Sequence, residues 1–244
     1  MDILADIIAS IKEDVPVHEV RIGPFWTAVV SRGCGLASTL IPPAHNPLES
    51  PIQEAGYLAG RSALELARMA HSDNTLAAGV GIAAINSLIR VDESECVELN
   101  ARDYLLERGA GKRIALVGHF PFVPQLRQVA AKLWVTEKRP LEGDLDEWKA
   151  EEVFPQADIV AITGSAFVNG TIGYLLGLIR KGSHVMVLGP STPMSPVLFE
   201  HGVNIVSGTQ VVDIEAALRT LSEGATFRQM RGVKLLTMTR EGTL

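Results

Sequence analysis

Three turns rich in small residues carry the side chains best placed to touch a ligand. They read Gly118-His119-Phe120-Pro121 after Arg113–Val117, Thr163-Gly164-Ser165 through Asn169-Gly170-Thr171 after Asp158–Ile162, and Gly189-Pro190-Ser191-Thr192-Pro193 after His184–Leu188. Each apolar run reads as a buried strand, and each turn leads into a helical pattern. The spacing therefore gathers the turns at the carboxyl edge of a parallel sheet, where open α/β folds bind their ligands. In the third turn the prolines remove competing donors, and Ser191 and Thr192 offer hydroxyls. A helix that follows would aim its free N–H groups at an anion. Contact with an anion and plain helix capping are both open for Ser191 and Thr192. In the second turn Asn169 can adopt a left-handed conformation and aim its amide at a ligand beside Gly164 and Ser165, while Thr171 caps the next helix. A simple Asn-Gly turn is the competing reading.

His119, one of six histidines, alone falls at the carboxyl end of a predicted central strand. There it can serve as acid, base or metal ligand, with a packed histidine bonded to a carbonyl as the alternative. His71 and His201 read as helix C-terminal residues, His184 opens a strand at its far end, His18 leads into a hairpin, and His45 sits in a proline-broken loop. Glu137 lies 19 residues after Gly118, where a dinucleotide-binding unit holds the acid that bonds a ribose. The turn here is not G-x-G-x-x-G, however, and its ring and proline stand where a pyrophosphate would approach. The string Gly79-Val80-Gly81 through Ala84 sits inside a helical pattern and reads as helix packing. No local metal motif exists. A divalent metal would need ligands from distant segments, for which Cys34, His119 and Glu137 are the candidates. Cys34, between two glycines, reads as an exposed turn residue.

The elements that must position these residues fall into two groups. Residues 2–14 predict an amphipathic helix, followed by strands over 18–22, 26–31 and 36–41, a proline-broken loop over 42–51, and helices over 56–69 and 74–89. Residues 91–98 form a charged link, and Asn100 caps a helix reaching Glu107. From Arg113 strand and helix alternate up to an edge strand at 234–239, the pattern of parallel strands with right-handed crossovers. Residues 139–152 read as a loop with a short surface helix. The fold class is α/β: an α+β module over 1–96 and a domain of parallel strands and crossover helices over 97–244.

The 244 residues are 47% hydrophobic and carry a net charge of -6 without a basic stripe, which argues against a nucleic-acid partner. The acidic start lacks the basic region of a signal peptide. The longest apolar run, Thr75–Ile89, is too short and too polar to span a membrane. Two cysteines in no pair motif point to a reducing cytoplasm.

The turns carry a resemblance as well. Gly81-Ile82-Ala83-Ala84-Ile85-Asn86, Gly118-His119-Phe120, Asn169-Gly170-Thr171, Gly189-Pro190-Ser191-Thr192-Pro193, Gly202-Val203 and Gly208 recur in that order. In this the chain resembles the family labelled "putative heavy-metal chelation", formerly domain of unknown function 364, over nearly its whole length. The resemblance implies a module like the N-terminal domain of enolase, a Rossmann-like domain, and a site in the cleft between them. If the modules close on each other, Arg32 and Asn86 complete the pocket above the sheet edge. Arg32 would suit a carboxylate or phosphate, and Asn86 either contacts the ligand or bonds a neighbouring backbone. The expectation is a cytoplasmic protein that binds or processes a small anionic metabolite, a heavy-metal chelator or its complex among the options, with a homodimer plausible. The alternative is an enzyme using a nucleotide-derived cofactor of the NAD or S-adenosylmethionine type, with Glu137 on the ribose.

Overall fold

The computed structural model describes residues 2–42, 50–97, 99–240 and 242–243. Most of the proline-broken loop, His45 included, lies outside these. The chain opens with α1 (Ile3–Ser10), capped by the Asp2 carboxylate, which accepts the Ala5 N–H. A meander follows: β1 (Glu19–Ile22), β2 (Trp26–Val30) and β3 (Cys34–Ser38), paired antiparallel in that order. β3 begins at Cys34 rather than Leu36 because its pairing with β2 runs back to Val30 opposite Cys34. α2 (Ala63–Ala67) is shorter than the predicted helix over 56–69. Gly56 and Gly60 take positive φ values that a helix does not admit. α3 (Thr75–Leu88) starts at the Asn74 cap and is buried nearly all round.

The second half begins earlier than the composition indicates. β4 (Cys96–Val97), in the stretch read as a link, pairs with the last strand. Then come α4 (Ala101–Arg108), β5 (Arg113–Val117), α5 (Val123–Val129), β6 (Lys132–Glu137), β7 (Leu145–Asp146), α6 (Ala150–Val153), β8 (Ile159–Thr163), α7 (Ser165–Val168), α8 (Ile172–Gly177), β9 (His184–Leu188), α9 (Val197–Glu200), β10 (Ile205–Val211), α10 (Ile214–Ser222) and β11 (Val233–Thr239). These strands form an eight-stranded sheet in the order β4-β11-β10-β9-β8-β5-β6-β7. The six strands from β10 to β7 run parallel, and β11 is antiparallel to β10. β11 is therefore not the edge, since β4 covers it. The chain order reverses at β5, with β6 on one side and β8 on the other, which makes this a Rossmann-like α/β sheet with a switch point.

The two sheets share one core. Ile7, Leu66, Ile82 and Ile85 from the first part pack in the same buried cluster as Val160, Ile162, Phe167 and Val187 from the large sheet. Glycine makes the closest approaches possible. A Cβ on Gly35 would stand 2.7 Å from the Asn86 carbonyl carbon, and closer still to Ala83 O and Ser87 N. β3 thus lies directly on the backbone of α3. Gly81 does the same between α3 and Ala70. No helix of the described residues is long and apolar enough to cross a membrane.

Candidate functional site

α3 ends beside the carboxyl edge of the large sheet, and a cleft of about 100 Å³ opens there. Its walls are the start of β3 (Gly33, Cys34), the end of α3 (Asn86, Ser87), the loop after β9 (Thr192, Met194) and the end of β10 (Thr209, Gln210, Val211). None of these is charged. Four of the lining residues carry a buried oxygen, Asn86 Oδ1, Thr192 Oγ1, Thr209 Oγ1 and Gln210 Oε1, that has no hydrogen-bond partner among the described residues. An unmet buried polar group costs about 1–3 kcal/mol, so four in one hollow call for a partner from outside the chain.

The sense of the Asn86 amide is fixed. Its Nδ2 donates to Leu36 O at 2.8 Å and to Ser191 O at 3.4 Å. Flipping it would set Oδ1 against two carbonyl oxygens, so the Asn86 carbonyl stays without a donor. Thr192 is held by its N–H, which donates to Gly189 O at 3.0 Å, and by Gly164, where a Cβ would come within 2.6 Å of both Thr192 N and Oγ1. Gly164 thus lets the turn after β8 support the turn after β9. The hydroxyls of Thr192 and Thr209 can donate or accept, whereas Asn86 Oδ1 only accepts.

The sequence-derived candidates divide among several places. Ser191 is 1% exposed. Its Oγ accepts the Ser38 N–H at 2.8 Å and bonds the Ser38 hydroxyl at 2.9 Å. It ties the β9 loop to β3 and is closed to a ligand. No helix follows the turn directly, because Pro193 and Pro196 delay α9 to Val197. The expected N–H groups are therefore not aimed at Ser191 and Thr192, and neither residue caps a helix. Arg32 turns away from the cleft. Its guanidinium donates to Leu88 O at 2.9 Å and to the Glu13 carboxylate at 2.8 Å. Cys34 is buried rather than exposed, packed with Leu218, Leu221 and Met230. Burial, seconded by the Glu19 charge, pushes its thiol up to about 12.

Asn169 and Thr171 serve each other. Asn169 Oδ1 accepts the Thr171 N–H at 3.1 Å and its hydroxyl at 2.6 Å, so Thr171 does not cap α8. Asn169 lines a separate hollow of about 440 Å³ with Asp2, His71 and Thr75. The Ser165 hydroxyl lies 3.1 Å from that of Thr163. Gly118 (φ +96) would bring a Cβ within 3.2 Å of Thr163 and 3.5 Å of the Phe120 ring. That ring folds over the turn in the space a pyrophosphate would need. Both Glu137 oxygens take main-chain N–H groups, His119 at 3.2 Å and Lys138 at 2.8 Å. His119 itself pairs with Asp144 at 2.8 Å and lines none of these hollows. The three turns therefore adjoin as backbone, while their side chains serve different places.

Thr209 and Gln210, near the end of β10, are not among the sequence-derived candidates. The signal was present in the β-branched residues Thr209, Val211 and Val212 beyond Gly208.

The described residues offer no set of side chains that fits a heavy-metal ion. Among the described residues, no three His, Cys, Asp or Glu side chains converge. Glu137 lies beside His119, whose N–H it accepts, but Cys34 packs elsewhere with Leu218, Leu221 and Met230, and its buried thiol keeps its proton, whereas soft metals select thiolate and imidazole.

The fold and cleft define a class: α/β proteins in which a small antiparallel sheet and a mostly parallel sheet share one core and enclose a polar hollow at the larger sheet's carboxyl edge. The chain belongs to the family described as "Putative heavy-metal chelation", whose model matches residues 100–239. A second model of the same description matches residues 4–89. A relative in Methanocaldococcus jannaschii, an uncharacterized protein, is 26% identical over 175 residues, 69% of this chain and 68% of that one. The crystal structure of a protein with unknown function from the DUF364 family of Desulfitobacterium hafniense superposes with a TM-score of 0.84 at 27% identity, covering 98% of both chains. One from Pyrococcus horikoshii, also of that family and of unknown function, gives 0.81 at 23% identity over 98% of both and shares the fold.

Proposed function

We propose that this protein binds a small, uncharged, donor-bearing organic chelator, free or with its metal, in the cleft between the small sheet and the edge of the large one. The observation that carries the reading is the set of four oxygens, on residues around the hollow, that have no partner among the described residues. Asn86 Oδ1 requires an N–H or O–H from the ligand. Thr192, Thr209 and Gln210 can match further donors or acceptors. The uncharged lining gives a small anion no counter-charge, since the Arg32 guanidinium is engaged with Leu88 and Glu13. The family's description ties it to heavy metals, and the donor chemistry of the chain supports contact through an organic ligand rather than through side-chain ligation.

Calorimetry with the metal-stripped protein tests this. Acetohydroxamic acid, a small neutral chelator with N–H and O–H donors, should give saturable heat, as should its iron complex. Nickel, zinc and ferric ions alone, and acetate or phosphate, should give none. Thr192→Val together with Thr209→Val should abolish the heat while leaving the melting temperature close to that of the parent. Tight binding of a bare metal ion, or of phosphate in place of the hydroxamate, would overturn the reading.

A further inference from the structure

A second chemical centre lies at the switch point of the large sheet, away from the cleft lining. His119 follows β5, the strand at which the chain order reverses. Its ring Nδ1 is 2.8 Å from Asp144 Oδ2. The Asp144 side chain is 0% exposed, although it is a carboxylate in a surface loop. Each of its oxygens is engaged: Oδ2 also takes the Leu141 N–H at 3.2 Å, and Oδ1 takes Arg127 Nη2 at 3.2 Å. The same Arg127 nitrogen donates to Gly143 O at 2.9 Å, so the loop is held on both sides of the acid. The imidazole is anchored from behind as well, its main-chain N–H donating to Glu137.

The consequence for the ring is specific. A carboxylate at Nδ1 makes that nitrogen the proton carrier, which leaves the lone pair on Nε2. Nε2 has no protein partner among the described residues, and the side chain is 31% exposed. A loop pin alone would be met by Arg127. The added imidazole has one nitrogen buried against an acid and the other offered to solvent.

We propose that His119 is a general base, with Asp144 as its orienting acid and Arg127 as the group that holds the acid in place. In the step it would perform, the Nε2 lone pair takes a proton from an O–H of a bound molecule or a water. The electron pair of that bond stays on the oxygen, which becomes nucleophilic. Nδ1 keeps its own proton, and the positive charge of the imidazolium sits against Asp144. The substrate class is a small molecule with an ionisable hydroxyl, or a water delivered to its electrophile.

p-Nitrophenyl acetate is the probe. A basic, accessible imidazole takes its acetyl group on Nε2 and expels p-nitrophenolate, and water then releases acetate. The whole protein should liberate p-nitrophenolate about tenfold faster than His119→Ala. Asp144→Asn should lose several-fold of the rate while its circular dichroism is unchanged. A second measurement on the unmodified chain removes the question of folding. Diethyl pyrocarbonate with peptide mapping should mark His119 before His71, whose side chain is 41% exposed and serves as the reference. Equal rates for the parent and His119→Ala, or His71 reacting first, would overturn the proposal. The cleft reading survives either result, since no residue of this dyad lines the cleft.

Discussion

Replacing Gly35 by alanine should damage the protein out of proportion to one added methyl. The new Cβ would stand 2.7 Å from the Asn86 carbonyl carbon, with Ala83 O and Ser87 N nearer still. Ordinary carbon contacts begin at about 3.5 Å, so α3 would have to retreat from β3 by roughly 1 Å. These atoms are helix backbone and cannot rotate aside. Overpacking of this kind costs about 1–3 kcal/mol, occasionally more, and we place Gly35→Ala at the upper end, about 3 kcal/mol. The same retreat stretches the 2.8 Å bond from Asn86 Nδ2 to Leu36 O and so removes the fixed carbonyl from the cleft. Gly33→Ala is the control, because its nearest neighbour would be Ser87 O at an ordinary 3.7 Å. Urea unfolding followed by circular dichroism should give the difference, and the melting temperature should fall by about 6–12 °C for Gly35→Ala. A Gly35→Ala protein within about 0.5 kcal/mol of the parent, the usual range of a harmless surface change, would refute the packing argument.

Gly164→Ala should cost about 1–3 kcal/mol and weaken hydroxamate binding, since its methyl would fall 2.6 Å from Thr192 N and Oγ1; differential scanning calorimetry with binding titrations checks both. Cys34 should resist iodoacetamide in the native protein and react about a thousandfold faster once unfolded in urea, because its thiol is pushed up to about 12 by burial. Peptide mapping of the two states gives the ratio, and comparable native labelling would show the strand to be open. Asp158 is held far below the ordinary carboxylate range, first by the Arg113 side chain and then by the Arg113 N–H. A depressed folded pKa gives stability that is complete above the unfolded value of about 3.9 and is lost as pH falls through the folded one. Arg113→Ala should therefore shift the acid-unfolding midpoint to higher pH in a tryptophan-fluorescence titration, and an unchanged midpoint would contradict this.

Much of the frame was legible because it is local. β5 and β9 have the bounds that their apolar runs announce, and Asn100 caps α4 as its side chain and position require. The alternation after Arg113 implied parallel strands, and the sheet has them. What escaped was long-range. Ser191 reads as a free hydroxyl until Ser38, 153 residues away, is found on it. Arg32 reads as an anion ligand until Glu13 takes its guanidinium. Cys34 reads as a turn residue because the flanking glycines hide the strand that α3 and α10 bury. The turn after β9 implied a helix start, but two prolines cancel it. No periodicity within a segment carries such information; it resides in how segments meet.

The cleft itself offers the decisive measurement, a high-resolution crystal structure of protein purified without added chelators. Continuous density for one small molecule, donating to Asn86 Oδ1 and touching Thr192 and Thr209, is the predicted result. A lining whose four oxygens are met by protein donors or by separate waters would contradict it.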